Sequence, residues 1–387
     1  MDLQFSDRER RFRAEVRAWM AANAPAAPLE SFNVSRAGFE AHRDWERVLH
    51  RGGYGMVTWP AEFGGRALSL IEWLIFEEEY YRASAPARVN QNGIFLLGPT
   101  IMEYGTAEQK AQFLPAMAAG DVIWAQAWSE PQAGSDLAAV RASATRDGEH
   151  YVLRGHKIWS SRAVFADWAF GLFRTDAEST KHRGLSLILF SLSAPGVRVQ
   201  PIAQIDGELG FAEIFLDDVR VRVADRLGPE GEGWGVCMAT AGFERGLMLR
   251  SPARYQVAAG KLLALAKARP ERMDATIEAA LLQVVMDAEA YALSIFATAS
   301  RLAAGGTIGP EASTNKIFWS ELDLALHGVA LAILGAAGEI LVHPDGAAHD
   351  SDWLDGFLFA LAGPIYAGAN EIQRNIIAER VLGLPRG

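Results

Sequence analysis

The chain has 387 residues, half of them hydrophobic and 22% charged. That is enough to bury the cores of two or three subdomains and too apolar for a disordered tail. A net charge of −10 argues against a general nucleic-acid binder, and an anionic substrate would have to meet local basic groups. One cysteine, Cys237, excludes an internal disulfide framework. The charged N-terminus reads as no signal sequence and no long apolar run suggests a membrane span, so a cytoplasmic location is expected.

The first third reads as helix. Ser6-Asp7-Arg8-Glu9 fits a capping box, and Phe12, Val16, Trp19 and Met20 follow on one helical face. "FEAHRDWERVLHRGG" predicts a second helix stopped by Gly52 and Gly53. "SLIEWLIFEEEYYRAS" and "GTAEQKAQFLPAMAAG" continue the pattern. Near Gly120 the character changes to short runs rich in Val, Ile, Leu and Phe, with an Asp147-Gly148 turn. These predict an antiparallel β domain of five to eight strands. After "GPEGEGWG" the chain returns to long, Ala/Leu-rich helices with broad apolar faces, which suit a bundle or a subunit contact. A short loop from Gly363 to Ala369 precedes a final helix from Asn370 to about Leu382. The expected layout is α+β: an N-terminal helical domain (1–121), a β barrel or sandwich (122–232) and a C-terminal four-helix bundle (233–387).

Some motifs carry no chemistry. "GPEGEGWG" has neither dinucleotide nor P-loop spacing and reads as a turn. The eight histidines show no metal-ligand spacing. Others leave two readings open. In "WAQAWSEPQAGSDL", Pro131 and Gly134 punctuate a turn whose amides and hydroxyls could hold a polar ring edge or a phosphate. In "GHKIWSSRAVFADW", Trp159 beside Ser160 and Ser161 suits either a flat heterocycle or an ordinary core tryptophan with exposed serines. "GFERGLMLR" sets Glu244, Arg245 and Arg250 after the β segment, where a glutamate can serve a helix dipole or face a cavity with a task.

Taken in order, "YGTAEQKAQFLP", "SEPQAGSDL", "GHKIWSS", "AEIFLDDVRV", "GEGW", "FERG" and "EIQRNIIAERVLGLPR" resemble the acyl-CoA dehydrogenase family of flavoproteins over nearly the whole chain. The resemblance is to the bacterial branch that includes fatty-acid and steroid side-chain enzymes. It implies FAD as cofactor, an acyl-CoA thioester as substrate and an electron-transfer flavoprotein as electron acceptor. It further implies that Trp128 and Ser129 meet the flavin ring and that Gly134 and Ser135 lie near cofactor and thioester. Trp159 would flank the isoalloxazine, Ser161 would stand near flavin N5, and Glu371 would contact the cofactor. Ala367 and Gly368 match the segment whose backbone N–H holds the thioester carbonyl, with Arg245 on the substrate side.

Many members carry the catalytic base in that final loop, where this chain has Ala367, which cannot accept a proton. Other members place it before an arginine in the first helix after the β domain, which here is Glu244. The resemblance therefore implies Glu244 as base for α,β-dehydrogenation to a 2,3-enoyl-CoA. Departures stand beside it. There is no Arg-x-x-Phe-Gly segment between Arg269 and Ala304, Glu278 stands near where relatives carry an arginine, and the Gly-Gly element near "LGAAG" is weakened. These leave three alternatives: a homo-oligomeric dehydrogenase, dimer or tetramer; a flavin-poor partner in a heterotetramer; or a flavin-dependent monooxygenase or oxidase on the same fold.

Overall fold

The computed structural model describes the backbone of residues 4–245, 250–340 and 351–385, and their side chains except at 243–245, 351 and 352. In chain order the helices are α1 (Asp7–Asn23), α2 (Arg36–Arg51), α3 (Leu70–Arg82), α4 (Gly98–Tyr104), α5 (Ala107–Ala118), α6 (Gly233–Arg245), α7 (Pro252–Ala268), α8 (Ala275–Ala303), α9 (Ala312–Leu334), α10 (Ser351–Ala360) and α11 (Asn370–Ile376). Between α5 and α6 run eight strands: β1 (Trp124–Ala127), β2 (Ser143–Asp147), β3 (His150–Ser161), β4 (Trp168–Arg174), β5 (Leu185–Ser191), β6 (Val197–Ile202), β7 (Phe211–Arg222) and β8 (Arg226–Leu227). Local chemistry sets several helix starts. Ser6 with Glu9, Ser69 with Glu72, and Thr106 with Gln109 each form a reciprocal capping box, satisfying two otherwise orphaned amides per helix.

The described residues pack as two units that divide the helices differently from chain order. One unit comprises Met1–Ala24, Ser69–Ala85 and Arg245–Gly387, and the other Pro25–Leu68 and Pro86–Glu244. In the helical unit, α7, α8 and α9 pack on one another, α10 and α11 pack on α9, and α3 joins α1 to α7 and α8. Arg13, Arg17 and Arg82 converge on the buried Glu79 carboxylate to tie α1 to α3. By length and hydropathy alone, Ala275–Ala303 and Ala312–Glu339 could each cross a membrane, which the sequence reading did not anticipate. Their apolar faces include Leu281, Val284 and Ile295 of α8 and Leu326, Ala330 and Ile333 of α9, all buried in this unit.

The β unit is built on one sheet of order β6-β7-β3-β2-β4-β5-β8, with β1 added to β4. Most pairings are antiparallel, as the turn signals predict. The exceptions are β1–β4, parallel from Trp124 opposite Trp168, and a single parallel pair between β2 and β4. The β2–β3 hairpin is inserted between β1 and β4, so the chain re-enters the sheet in the direction it left. Inward residues such as Ala144, Leu153, Phe173, Ile188, Ile214 and Val219 form the core. α6 begins with Gly233 against β5, where an added Cβ would lie 2.5 Å from the Ser186 Cα. About two turns later Thr240 is hydrogen-bonded to Thr100 of α4 at 2.9 Å. These contacts fix the helix whose penultimate residue is Glu244.

Candidate active site

In the β unit, β1 runs into Trp128, Ser129 and Glu130. Trp128 and Glu130 are buried and Ser129 is half-buried between them. Glu130 accepts from the amides of Arg141 (2.7 Å) and Ala142 (2.9 Å), from Gln132 and from the Lys157 ammonium at 2.8 Å. Lys157, wholly buried on β3, also donates to the carbonyls of Leu172 (2.6 Å) and Trp128 (3.3 Å) and lies over the Phe173 ring. Burial alone would raise the Glu130 pKa, but the Lys157 charge and the hydrogen bonds from Lys157, Arg141 and Ala142 hold it below the ordinary carboxylate range. The same burial pulls Lys157 downward against the opposing pull of Glu130. With every lone pair and proton engaged, the pair stands as a charged knot beneath Ser129.

The knot governs the next strand. The Ile158 amide donates to the Ser129 carbonyl at 2.9 Å, and the β3–β7 register slips between Lys157 and Ser160. At that bulge Trp159 takes a left-handed φ of +58°, costly for a bulky side chain, and leaves its ring 57% exposed. Phe211 meets it edge-on. Backbone strain that the surroundings enforce is a common mark of a working site. Among the described residues the buried indole N–H of Trp128 and the Ser160 hydroxyl have no partner, and nothing crowds Gly134. Ser161 is half-buried at the end of β3, and Ser135 is exposed in the connection between β1 and β2. An exposed aromatic face, a half-buried hydroxyl and an orphaned indole N–H fit a flat, polar-edged ring such as isoalloxazine. The structure thus brings Trp128, Ser129, Trp159 and Ser161 to one bulged region of the sheet.

In the helical unit, the final loop has two consecutive left-handed residues, Ala367 (φ +56°) and Gly368 (φ +80°). Gln373 of α11, fully buried, donates its amide to the carbonyls of Gly368 (3.1 Å) and Ala367 (3.4 Å). Among the described residues the N–H groups of Ala367 and Gly368 have no acceptor. The start of α11 is pinned by Asn370, whose side chain accepts from the buried Lys316 at 2.7 Å and exchanges hydrogen bonds with Ser320. Glu371 is exposed in the first turn of that helix. The loop therefore spends its carbonyls inside the protein and keeps two amides in reserve, the arrangement an oxyanion needs.

Glu244 and Arg245 end α6, and their side chains lie outside the described residues. Sequence reasoning missed Lys157, Gln373 and the Arg250–Tyr366 pair, in which the guanidinium donates to the phenol oxygen at 2.9 Å. A lysine in step with Tyr151 and Leu153 on the inward side of β3 was the signal for the first. For the others, only a glutamine in the second turn of the last helix and an arginine just before Ser-Pro marked the places.

Comparison with known proteins identifies the architecture. Models of the acyl-CoA dehydrogenase N-terminal, middle and C-terminal domains match residues 6–121, 125–219 and 231–382. The acyl-CoA dehydrogenase IpdE1 of Mycolicibacterium smegmatis is 39% identical over 97% of both chains, as is IpdE1 of Mycobacterium tuberculosis. Among solved structures, the Tcur3481-Tcur3483 steroid ACAD superposes with a TM-score of 0.89 at 29% identity, covering all of both chains. The ChsE4-ChsE5 complex from Mycobacterium tuberculosis does so at 0.83 and 31%, again over full lengths. The chain belongs to the acyl-CoA dehydrogenase family, flavin-dependent oxidoreductases that typically use FAD, and falls in its IpdE1-like bacterial branch.

Proposed function

We propose that this acyl-CoA dehydrogenase binds FAD and converts an acyl-CoA thioester to the 2,3-enoyl-CoA with Glu244 as the base. The observation that carries the reading is the final loop, with its two unclaimed amides and an alanine where a base could otherwise stand. Bound FAD supplies a hydride acceptor for the β-carbon. Trp128, Ser129 and Ser161 would hold its ring by polar contacts, Trp159 would flank it, and Gly134, Ser135 and Glu371 would complete the cofactor contacts. The N–H groups of Ala367 and Gly368 donate to the thioester oxygen, where charge builds as the α-proton leaves. That stabilisation acidifies the α-carbon, and Glu244 takes the proton; Ser135 and Arg245 orient the substrate. Desolvation by the acyl chain raises the carboxylate's proton affinity toward neutrality. Electrons leave to an electron-transfer flavoprotein. We place the protein in the cytoplasm and keep the three-part chain-order layout, with boundaries at 121 and 232.

A second reading has specific support. Two of the structural relatives carry the names of two chains, and one is named a steroid ACAD. We infer that this chain works in a heterotetramer with a related subunit and acts on a bulky, ring-bearing acyl group, for which the small Ala367 leaves room. Anaerobic addition of an acyl-CoA panel to the purified protein tests both readings. Bleaching of an oxidised-flavin spectrum by one thioester supports the self-sufficient enzyme, and a colourless protein that gains flavin only with a partner supports the heteromer. Glu244→Gln should keep its flavin yet lose ~10²–10⁴-fold in flavin reduction rate; near-normal reduction rejects Glu244 as base.

A further inference from the structure

We propose that Arg250, Ser251 and Tyr255 form a subsite for an oxygen acceptor carried on the acyl group, a carboxylate or a carbonyl, so that this enzyme selects oxygenated acyl-CoA thioesters over plain hydrocarbon ones. The inference rests on the assignment of Ala367 and Gly368 to the thioester carbonyl.

The case begins with unmet donors. Arg250 is half-buried, with its guanidinium carbon 4.8 Å from the centre of the Trp319 ring and 5.5 Å from that of Tyr366. Its Nη2 reaches the Tyr366 hydroxyl, while its buried Nε has no acceptor among the described residues. The next residue, Ser251, precedes the first turn of α7, where serine ordinarily caps. Here its hydroxyl caps nothing, is almost fully buried and has no partner. Tyr255, in the same first turn, is completely buried with its hydroxyl unpartnered. Three neighbouring positions thus present donors that protein interiors normally pair, each left unpaired among the described residues.

Charge points the same way. Arg254 is matched by Asp323 at 3.1 Å, and burial lowers the pKa of the adjacent His327, favouring its neutral form. Among the described residues Arg250 has no acidic side chain within ion-pair distance, and the carboxylate that acts on it from farther off, Asp323, is already paired with Arg254. The N-terminal end of α7 adds its partial positive charge at the same place. In a chain of net charge −10, this is a local basic site of the kind an anionic group requires.

The surroundings set the ligand's character. Tyr255 packs edge-on against Tyr291, whose hydroxyl donates to the Arg250 carbonyl, and Trp319 lies nearly parallel to Tyr366. Aromatic walls around one cation suit an apolar body bearing a single acceptor. Tyr366 immediately precedes Ala367 in the chain, which ties the cation to the loop assigned to the thioester. A purely structural clamp would use the ring faces and the Tyr366 bond and would leave the Nε, the serine hydroxyl and the Tyr255 hydroxyl without purpose.

The test is an anaerobic titration of the flavin-loaded full-length protein with hexanoyl-CoA, 5-oxohexanoyl-CoA and adipoyl-CoA, and with their four- and eight-carbon counterparts. Dissociation constants are read from the flavin absorption band in a Glu244→Gln background, and kcat/KM in the wild type. At the preferred length the oxygenated thioester should bind at least about tenfold tighter than the hydrocarbon, since a site built to donate rejects an analogue lacking the acceptor. Arg250→Met should shrink that ratio about tenfold, and Arg250→Lys should restore part of it. Tightest binding of adipoyl-CoA supports a carboxylate, and tightest binding of the oxo-acyl thioester a carbonyl. Equal binding of all three in wild type, or an Arg250→Met loss shared equally among them, overturns the subsite and leaves the dehydrogenase reading standing. A flavin band that no thioester perturbs overturns both. Flavin content and melting temperature of each variant separate lost selectivity from lost fold.

Discussion

Lys157 in the β unit and Arg250 in the helical unit both lie against aromatic rings, yet their charges meet opposite fates. Lys157 spends its protons on one carboxylate and two carbonyls, and Glu130 spends its oxygens on that ammonium, two amides and Gln132. Arg250 has one phenol oxygen and two ring faces, with its Nε and the two adjacent hydroxyls left over. A charged group with every bond made is part of the scaffold, while one with bonds missing is held ready for something not yet bound. The bulge at Trp159 rests on the first kind and the proposed acyl-group subsite on the second.

The comparison is sharpened most by Lys157→Met. It strands the Glu130 carboxylate in the core, so we expect ~3–5 kcal/mol of lost stability in denaturant unfolding and weakened FAD retention. A loss under about 1 kcal/mol would mean that the knot is dispensable. Gln373→Ala should be next in size. Freed of Gln373, the carbonyls of Ala367 and Gly368 release the loop geometry, and kcat should fall by about 100-fold while the melting temperature stays close to wild type. An unchanged kcat would separate the loop's shape from catalysis.

Arg250→Met should change stability by less than about 1 kcal/mol, because losing a cation–π contact is offset by removing an unmatched charge. A large loss would make Arg250 scaffold like Lys157 and erase the contrast. The smallest effect concerns acid. Burial would raise the Glu79 carboxyl, but hydrogen bonds from Arg17 and Arg13 and the charge of Arg82 outweigh it and bring it to about 2 from 4.5. Because its folded value is depressed, its stabilisation is fully present above pH 4.5 and is lost as pH falls toward 2. Glu79→Gln should flatten that acid limb in a pH series of melting curves; an unchanged limb would assign acid sensitivity to other carboxylates.

How much of this could be read in advance follows from how far each interaction reaches along the chain. Capping boxes span four residues, so the one at Ser6 was legible, and Gly52 does end α2. The eight strands fall at the upper end of the expected five to eight, because β-branched runs and turn residues are local signals. The parallel β1–β4 pairing was not legible, since it depends on where a hairpin is inserted. The Glu130–Lys157 knot joins residues 27 apart and Arg250–Tyr366 joins residues 116 apart, distances over which no periodicity speaks. The resemblance singled out Ala367 in the sequence, but its left-handed backbone and the hold of Gln373 on its carbonyl are properties of the folded loop alone.

The bulge at Trp159 has an optical consequence. Of the eleven tryptophans, the other ten are buried or half-buried, and Trp159 alone turns most of its ring to solvent. Its emission should be red-shifted relative to the rest and selectively quenched by acrylamide. A flavin laid on that ring would extinguish this component and shield it from collisional quenchers, so steady-state fluorescence of the unlabelled protein would titrate cofactor loading, one indole reporting for the whole sheet.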